Sequence, residues 1–403
     1  MSPDHLRAWW WHRQALDGSL AGAAPAAVLA RAGWARSVGG AAPYLTLWAR
    51  AGTPRAEADA AVARLDVHEL PAARGCTYVV PAADYALALA LTRAAGDAEM
   101  ATARKLGVTD AEVDALAERV VGALAAGPLD PDAIRLAVGP AARSLGEAGR
   151  RKGVATTLPL ALGRLQAEGR VRRVPADGRL DRQRYRYARW DDAPRWDGAA
   201  DPREALARRY FAWNGPATLG EWQWFSGLGA RAARAAAAPL GLVPAWPGAD
   251  RLLLPEDADA FAAAAVPAEP RYAFLASLDA LFAARRELAT LLDPADAERA
   301  ARLVPNGRAL GAVQDLPSHA VVDRGRLVGL WEFDTGSGEV VWATFDRRHD
   351  PAALRDAAER ATAFVRDQLG DARAFSLDSP AGRRPRLAAL RAAHPATAHP
   401  ATP

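Results

Sequence analysis

Two short segments of this sequence carry side chains that can move a proton. In the first, Asp315, Ser318 and His319 lie within five residues, just before a predicted strand. A carboxylate, a hydroxyl and an imidazole at this spacing can serve as general acid and base. The same residues also suit a turn, in which Asp315 and Ser318 cap backbone amides and Pro317 fixes the bend. The sequence leaves both interpretations open.

The second segment is His68-Glu69, which stands just before a turn over Pro71–Gly75. Glu69 can act as a base beside Arg74, or it can form an ion pair with that arginine. The turn separates two predicted strands, Val67–Leu70 and Cys76–Val80, so both residues would lie at one end of a hairpin.

Basic residues are concentrated in the middle of the chain. Between Arg143 and Arg189 there are thirteen basic residues and four acidic ones, although the net charge of the whole chain is only +4. Such a local excess is the electrostatic pattern of a protein that binds the phosphate backbone of double-stranded DNA. We expect the DNA contacts to come from residues of this kind: Arg74, Arg143, Arg150, Arg151, Lys152, Arg170, Arg172 and Arg173.

The elements around this basic segment follow a recognisable order. A helix over Asp130–Val138, capped by Asp130, precedes a short basic helix near Ser144–Arg151 and a third helix with an apolar stripe at Leu158, Ala161, Leu162 and Leu165. Two strands, Arg170–Val174 and Arg182–Ala188, then form a basic hairpin. Three helices followed by a hairpin are typical of a winged helix, whose third helix enters the major groove.

The chain of 403 residues is long enough for several domains. We predict an α+β protein with tandem winged-helix domains and a C-terminal β-rich α+β region. The predicted limits are an N-terminal winged helix with a helical extension at 1–127, a basic winged helix at 128–192, a third at 200–255, the α+β region at 256–380 and a flexible tail at 381–403. Within the α+β region, we expect a helix over Phe274–Leu292 and strands at Ala309–Val313, Ala320–Asp323, Leu327–Glu332 and Val340–Phe345.

Several classes of protein are excluded by composition. The single cysteine, Cys76, rules out an intramolecular disulfide and a multi-cysteine zinc site. There is no phosphate loop, Rossmann fingerprint or zinc motif, so we expect no metal and no cofactor. No apolar run approaches the ~20 residues of a membrane span, and Met1–His5 lacks the layout of a signal peptide. We therefore expect a cytoplasmic protein without membrane contact.

Three groups of residues, taken together, resemble a known family. They are Arg74-Gly75 before a strand, the stretch from Arg208-Arg209-Tyr210 through Asn214-Gly215-Pro216-Ala217-Thr218 to Trp224-Phe225-Ser226-Gly227-Leu228, and the strand pair Val322–Trp331. They resemble the AlkZ/YcaQ-like family of bacterial DNA glycosylases, which are built of tandem winged helices. The resemblance runs from about Ala8 to Phe345. It implies excision of bulky N-alkylated purines and unhooking of interstrand crosslinks.

The resemblance also points to one further acid and one missing motif. Asp279 stands where the family has an aspartate at the edge of its pocket, although a buried ion pair with Arg285 or Arg286 would also explain it. In the family, an early Gly-Gly pair is followed by Gln-x-Gln or Gln-x-Asp, which holds the attacking water. Here Gly39-Gly40 runs directly into Ala41-Ala42-Pro43-Tyr44. The sequence therefore predicts a DNA glycosylase-like repair protein or, alternatively, a non-catalytic DNA-binding or regulatory member of the family.

Overall fold

In the computed structural model, the described residues are 1–197, 201–285, 288–304, 310, 315–346 and 348–393. Over these ranges the chain combines α-helices with four antiparallel sheets, which fits the expected mixture of helices and strands. Among the residues described, no helix has the length and apolar character needed to cross a membrane.

The N-terminal segment contains four helices and a three-stranded sheet. The helices are α1 (Pro3–Arg13), α2 (Pro25–Ala32), α3 (Ala42–Ala51) and α4 (Arg55–Ala63), and the strands are β1 (Ala35–Arg36), β2 (Val67–Pro71) and β3 (Thr77–Pro81). β3 lies between β1 and β2. α2, α3 and α4 pack against this sheet, while α1 contacts the later helix Pro202–Asn214 and the later strand Arg326–Asp334. The two strands predicted here are confirmed to within one residue. Because side chains alternate across a strand, Glu69 and His68 face opposite sides of this sheet.

The next segment contains the basic residues. Its elements are α5 (Tyr85–Arg104), α6 (Asp110–Ala123), α7 (Pro131–Val138), α8 (Gly146–Arg151), α9 (Leu158–Ala167), β4 (Val171–Pro175) and β5 (Tyr185–Arg189). α9 packs against α5 and α6, and the predicted apolar stripe of α9 is buried. The Asp130 side chain accepts a hydrogen bond from the Ala133 N–H at 2.8 Å, which confirms the predicted cap. β4 and β5 form the predicted hairpin.

A third group of helices encloses a small sheet. It comprises α10 (Pro202–Asn214), β6 (Ala217–Thr218), α11 (Leu219–Ser226), α12 (Ala230–Ala237), β7 (Val243–Pro244), β8 (Arg251–Leu253) and α13 (Ala258–Ala263), with the strand order β6-β8-β7. Thr218 and Glu221 form a capping box at the start of α11, so the short helix begins at a defined residue.

The C-terminal part is built on a four-stranded sheet. Its elements are β9 (Tyr272–Leu275), α14 (Ala280–Ala283), α15 (Pro294–Ala300), β10 (His319–Asp323), β11 (Arg326–Asp334), β12 (Glu339–Thr344), α16 (Pro351–Phe364) and α17 (Pro380–Ala393). The strand order is β12-β11-β10-β9. The helix predicted over Phe274–Leu292 was largely wrong: Phe274 and Leu275 pair with β10 as part of β9, and among the described residues of this range only Ala280–Ala283 are α-helical, with a 3-10 turn at Leu288–Leu291. The strand predicted at 309–313 lies outside the described residues, apart from Leu310.

The first and last parts of the chain share a hydrophobic core. Tyr44 and Leu45 of α3 belong to the same buried cluster as Phe274 of β9 and Trp331 of β11. α17 also packs on this sheet, and its Leu387 and Leu390 are buried. Residues 381–393 are therefore helical where a flexible tail was expected, and residues 394–403 lie outside the described part. The predicted domain limits stay predictions.

Candidate active site and nucleic-acid interface

Glu69 is a buried carboxylate, and one of its two oxygens accepts no hydrogen bond. Its Oε1 accepts hydrogen bonds from the hydroxyl of Ser37 and, at 3.0 Å, from the hydroxyl of Tyr185. Its Oε2 is buried without a hydrogen-bond partner. Burial raises the pKa of Glu69 to about 7, although both hydrogen bonds and the nearby charge of Arg173 act in the opposite direction. Such a group exchanges a proton near neutral pH.

Three separate segments build the surroundings of Glu69. β2 carries Glu69, the residue after β1 is Ser37, and β5 carries Tyr185. The basic hairpin reaches Glu69 because β4 packs against β2. The Arg173 guanidinium lies over the Tyr185 ring at 4.9 Å, and its Nε is buried without a hydrogen-bond partner. Glu69 therefore sits between the N-terminal sheet and the arginines of the hairpin, and the expected ion pair with Arg74 is not among its contacts.

Asp279 is held entirely by the interior of the protein. Its two carboxylate oxygens each accept a hydrogen bond from Arg50 at 2.8 Å, and both side chains are fully buried. One oxygen also caps the N–H of Leu281 at 3.0 Å. The ion-pair partner is Arg50 rather than Arg285, and Arg286 lies outside the described residues. This arrangement orients α3 and α14 and leaves little of the carboxylate for chemistry.

His319 and Asp315 differ sharply in exposure. The Ser277 N–H donates to Nδ1 of His319 at 3.0 Å, and Nε2 donates to the Ala372 carbonyl at 2.7 Å. Both ring nitrogens are thus engaged, and burial lowers the pKa of His319, which favours the neutral ring. Asp315 is exposed, with the Arg36 charge nearby. The four acid–base candidates have separate surroundings, and none lines either of the two clefts described below.

Several arginines of the basic segment form ion pairs with acidic residues, some of which lie on another helix. Arg143 binds both carboxylate oxygens of Glu112, at 2.8 and 3.0 Å, and Arg170 binds both of Glu118, at 2.6 and 3.0 Å. The acidic partners lie on α6, outside the basic segment itself. Arg150 and Arg151 share Glu147, at 3.1 and 3.9 Å. The excess of positive charge counted along the sequence is therefore much reduced on this face.

The hairpin itself keeps its positive charge. Arg172 lies 5.7 Å from the centre of the Trp190 ring and Arg173 over Tyr185, while Arg184 and Arg186 are exposed. In the part of the chain that the structure describes, no carboxylate lies within ion-pair distance of these four arginines, and the same holds for the exposed Lys152. Within the basic segment, the exposed members of this group, Lys152, Arg184 and Arg186, are accessible to a phosphate backbone without first losing a carboxylate partner.

Arg74 borders a first cleft, of about 800 Å³, together with Arg203, Leu206 and Leu228. Its guanidinium stacks on the Trp224 ring at 4.1 Å. A Cβ at Gly227 would come within 2.9 Å of the Arg74 side chain, and Gly227 has a φ of 72°, so the arginine needs a glycine beside it.

A second cleft, which we call the Gly39 cleft, has a volume of about 660 Å³. It is lined by Gly39 and, among others, by Arg182, Gln183, Arg184, Arg373, Ser376 and Leu377. A Cβ on Gly40 would lie 2.5 Å from the carbonyl oxygens of residues 373 and 374. The Gly-Gly pair therefore permits close contact between two backbone segments. Ser37 and Tyr185, which hold Glu69, lie close to this cleft in the chain: Ser37 is two residues before Gly39, and Tyr185 directly follows Arg184.

Sequence reasoning did not identify Ser37, Tyr185 or Gln183. Ser37 and Tyr185 meet at Glu69 only through tertiary packing, so no spacing in the sequence links them. A weaker signal existed for the hairpin: Arg184 and Arg186 alternate with Tyr185 and Tyr187, which is the pattern of a strand with one exposed basic face. In the described ranges, no three His, Cys, Asp or Glu side chains converge as a metal site would require.

Comparison with known proteins gave one family model and a similar fold. The family model described as DNA glycosylase AlkZ-like matches residues 4–366. Among solved structures, the DNA glycosylase AlkZ of Streptomyces sahachiroi is similar, with a TM-score of 0.67 and 22% sequence identity over 91% of this chain and 97% of that chain. At this identity the likeness concerns the fold. A search of curated proteins gave no match.

Proposed function

The chain belongs to the AlkZ-like family of DNA glycosylases. On that premise we propose that it binds double-stranded DNA and hydrolyses the N-glycosidic bond of N-alkylated purines, including those in interstrand crosslinks. The catalytic part of this proposal rests on Glu69, a buried carboxylate with one oxygen that accepts no hydrogen bond and a pKa raised to about 7. Asp279 and His319 have their polar atoms engaged, and Asp315 is exposed.

The reaction requires from the protein only one general base and correct positioning of the substrate. An N7-alkylated purine is cationic, so when its C1′–N9 bond breaks the bonding electrons go to N9 and a neutral base leaves. The sugar develops positive charge, which a carboxylate stabilises. Water adds to C1′ and gives its proton to Glu69. A carboxylate with a pKa near 7 is partly ionised at neutral pH, and it is this ionised fraction that accepts the proton.

The proposed DNA surface starts from the hairpin. Arg173 of β4 lies next to Glu69, Arg172 of the same strand lies near His68 and Trp190, and Lys152 caps the end of the preceding helix α8. For residues 128–192 we propose a winged helix in which α9 enters the major groove and β4–β5 is the wing. Arg143, Arg150, Arg151 and Arg170 join the surface only if phosphates displace their carboxylate partners, whereas Arg74 lies at the separate first cleft. The other winged helices, at 1–127 and 200–255, and cytoplasmic location are part of the same proposal.

A non-catalytic DNA-binding role is the alternative, and one observation favours it. The segment after Gly39-Gly40 holds no glutamine, and the backbone of residues 373–376 packs directly on this glycine pair. A member without its water-holding pair would still bind DNA through the hairpin.

One experiment separates the two roles. Duplex DNA containing 7-methylguanine, or a nitrogen-mustard crosslink, is incubated with excess protein, and abasic sites are detected by strand cleavage in alkali. Release of the base supports the glycosylase. DNA binding that weakens steeply with salt, without release, supports the alternative. The absence of salt-dependent binding would remove both.

A further inference from the structure

Two apolar side chains project from the loop that covers the Gly39 cleft. Leu377 is 85% exposed and Phe375 is 45% exposed, and they flank Ser376. Leu377 and Ser376 line the cleft, together with Arg184 and Arg373. A single exposed leucine is ordinary in a soluble protein. Here a second exposed apolar side chain lies two residues away, and cations line the same cleft.

The loop is held firmly by its backbone. The Ser376 N–H donates to the Val38 carbonyl at 2.9 Å, and the Ala41 N–H donates to the Arg373 carbonyl at 2.8 Å. Asp378 closes the turn, since its N–H donates to the Phe375 carbonyl at 3.0 Å. Leu377 therefore lies at the tip of a turn that is already ordered. Inserting its side chain into a binding partner would cost little conformational entropy.

The charges around Leu377 fit a phosphate backbone. The three aspartates that line the cleft are all paired: Asp181 with Arg179, Asp371 with Arg383 and Asp378 with Arg386. Arg373 donates to the carbonyl of residue 181 at 3.0 Å and keeps its charge. Among the described residues, Arg184 has no carboxylate within ion-pair distance. Two uncompensated cations thus lie beside an exposed leucine.

From these contacts we infer that Leu377, assisted by Phe375, is a wedge that enters the base stack of duplex DNA while Arg184 and Arg373 bind the flanking phosphates. Apolar side chains used in this way partly unstack the base step that they enter. The Gly39 cleft, at about 660 Å³, has room for a displaced nucleotide. The inference rests on the proposed function, because it supplies the step by which a base would leave the stack.

The test compares two leucines that are equally exposed. Leu136, on α7, is 84% exposed and lines neither cleft, so Leu136→Ala is the matched control for Leu377→Ala. The probe is a duplex with 2-aminopurine next to a 7-methylguanine, because 2-aminopurine becomes fluorescent when it is unstacked. We expect wild type and Leu136→Ala to raise the fluorescence on binding. Leu377→Ala should lose most of this rise and bind the duplex about tenfold more weakly, because it loses the burial of a leucine side chain.

The outcomes separate the wedge from the proposed function. If Leu377→Ala unstacks the probe as well as Leu136→Ala does, the wedge is wrong, whatever the rate of base release. If wild type unstacks the probe and Leu377→Ala does not, the wedge stands even when no base is released, and only the catalytic proposal fails. If wild type does not bind the duplex at low salt, both are overturned. Both leucines are on the surface, and equal melting temperatures of the two variants would verify that neither substitution affects folding.

Discussion

The basic segment contains two groups of arginines that look alike in the sequence and differ in the structure. In the first group, Arg143, Arg164 and Arg170 form ion pairs with acids of α6. In the second, Arg172, Arg173, Arg184 and Arg186 of the hairpin lie against aromatic rings or in solvent. Because a phosphate must compete with an existing carboxylate in the first group, the same residue type contributes less binding energy there. Only charge that stays unpaired after folding indicates a DNA surface.

The same comparison explains why Glu69 has an unusual environment. Glu112 of α6 is half-buried and Glu118 is exposed, both are paired, and hydrogen bonds from arginine lower the pKa of each. Glu69 is buried beneath the hairpin, where burial has the opposite effect. The carboxylate next to the unpaired arginines is thus the one suited to exchanging a proton.

The substitution Glu69→Gln is expected to have the largest effect, and this effect is on the rate of base release. If Glu69 accepts the proton of the attacking water, base release should fall about 10²–10³-fold, with DNA affinity unchanged. In wild type, the rate should fall as the pH drops below about 7, because the carboxylate becomes protonated. Single-turnover release of 7-methylguanine across pH 5–8 measures both effects. Asp315→Asn is the matched control, and a loss of activity there with full activity in Glu69→Gln would move the catalytic role to Asp315.

A second prediction concerns the stability of the same site. The folded-state pKa of Glu69, about 7, lies above its ordinary value of 4.5, so the folded protein binds the proton more tightly than the unfolded chain. The stabilisation is complete below about pH 4.5 and is lost as the pH rises through 7, on the order of 3 kcal/mol in the free energy of unfolding. Glu69→Gln should not show this loss, so its stability relative to wild type should increase between pH 5 and pH 8 in urea denaturation. A constant difference across this range would contradict the buried, protonated carboxylate.

The hairpin arginines should control DNA affinity. Replacing Arg184, which precedes β5, and Arg186 of β5 together by glutamine removes two exposed, unpaired cations from the hairpin. We expect the affinity for undamaged duplex to fall about tenfold at moderate salt, and the slope of log K against log salt to decrease by about 1.8. Fluorescence anisotropy at several salt concentrations measures both. An unchanged slope would mean that this face of the hairpin does not contact phosphates.

The sequence predicted local structure better than it predicted contacts between residues that are far apart in the chain. The buried stripe of α9, the cap at Asp130 and the basic hairpin all depend on residues close together in the chain, and each is observed. The start of β9 was missed, because Phe274 and Leu275 precede an alanine-rich stretch with helical character, and only pairing with β10 makes them a strand. Long-range pairing also decided the sites. Arg50 is 229 residues from Asp279, and Ser37 and Tyr185 converge on Glu69 from different segments.

The smallest effect on DNA affinity is expected when both members of an ion pair are replaced. Arg143→Gln combined with Glu112→Gln leaves the net charge unchanged and deletes a pair that is exposed at the surface. If folding has already neutralised this arginine, the affinity for duplex DNA should change less than about twofold and the salt slope should stay constant. The comparison with Arg184→Gln and Arg186→Gln uses the same assay and the same number of substitutions. A large loss of affinity in the Arg143 and Glu112 variant would show that DNA displaces the carboxylate, and the DNA surface would then extend from the hairpin onto α6.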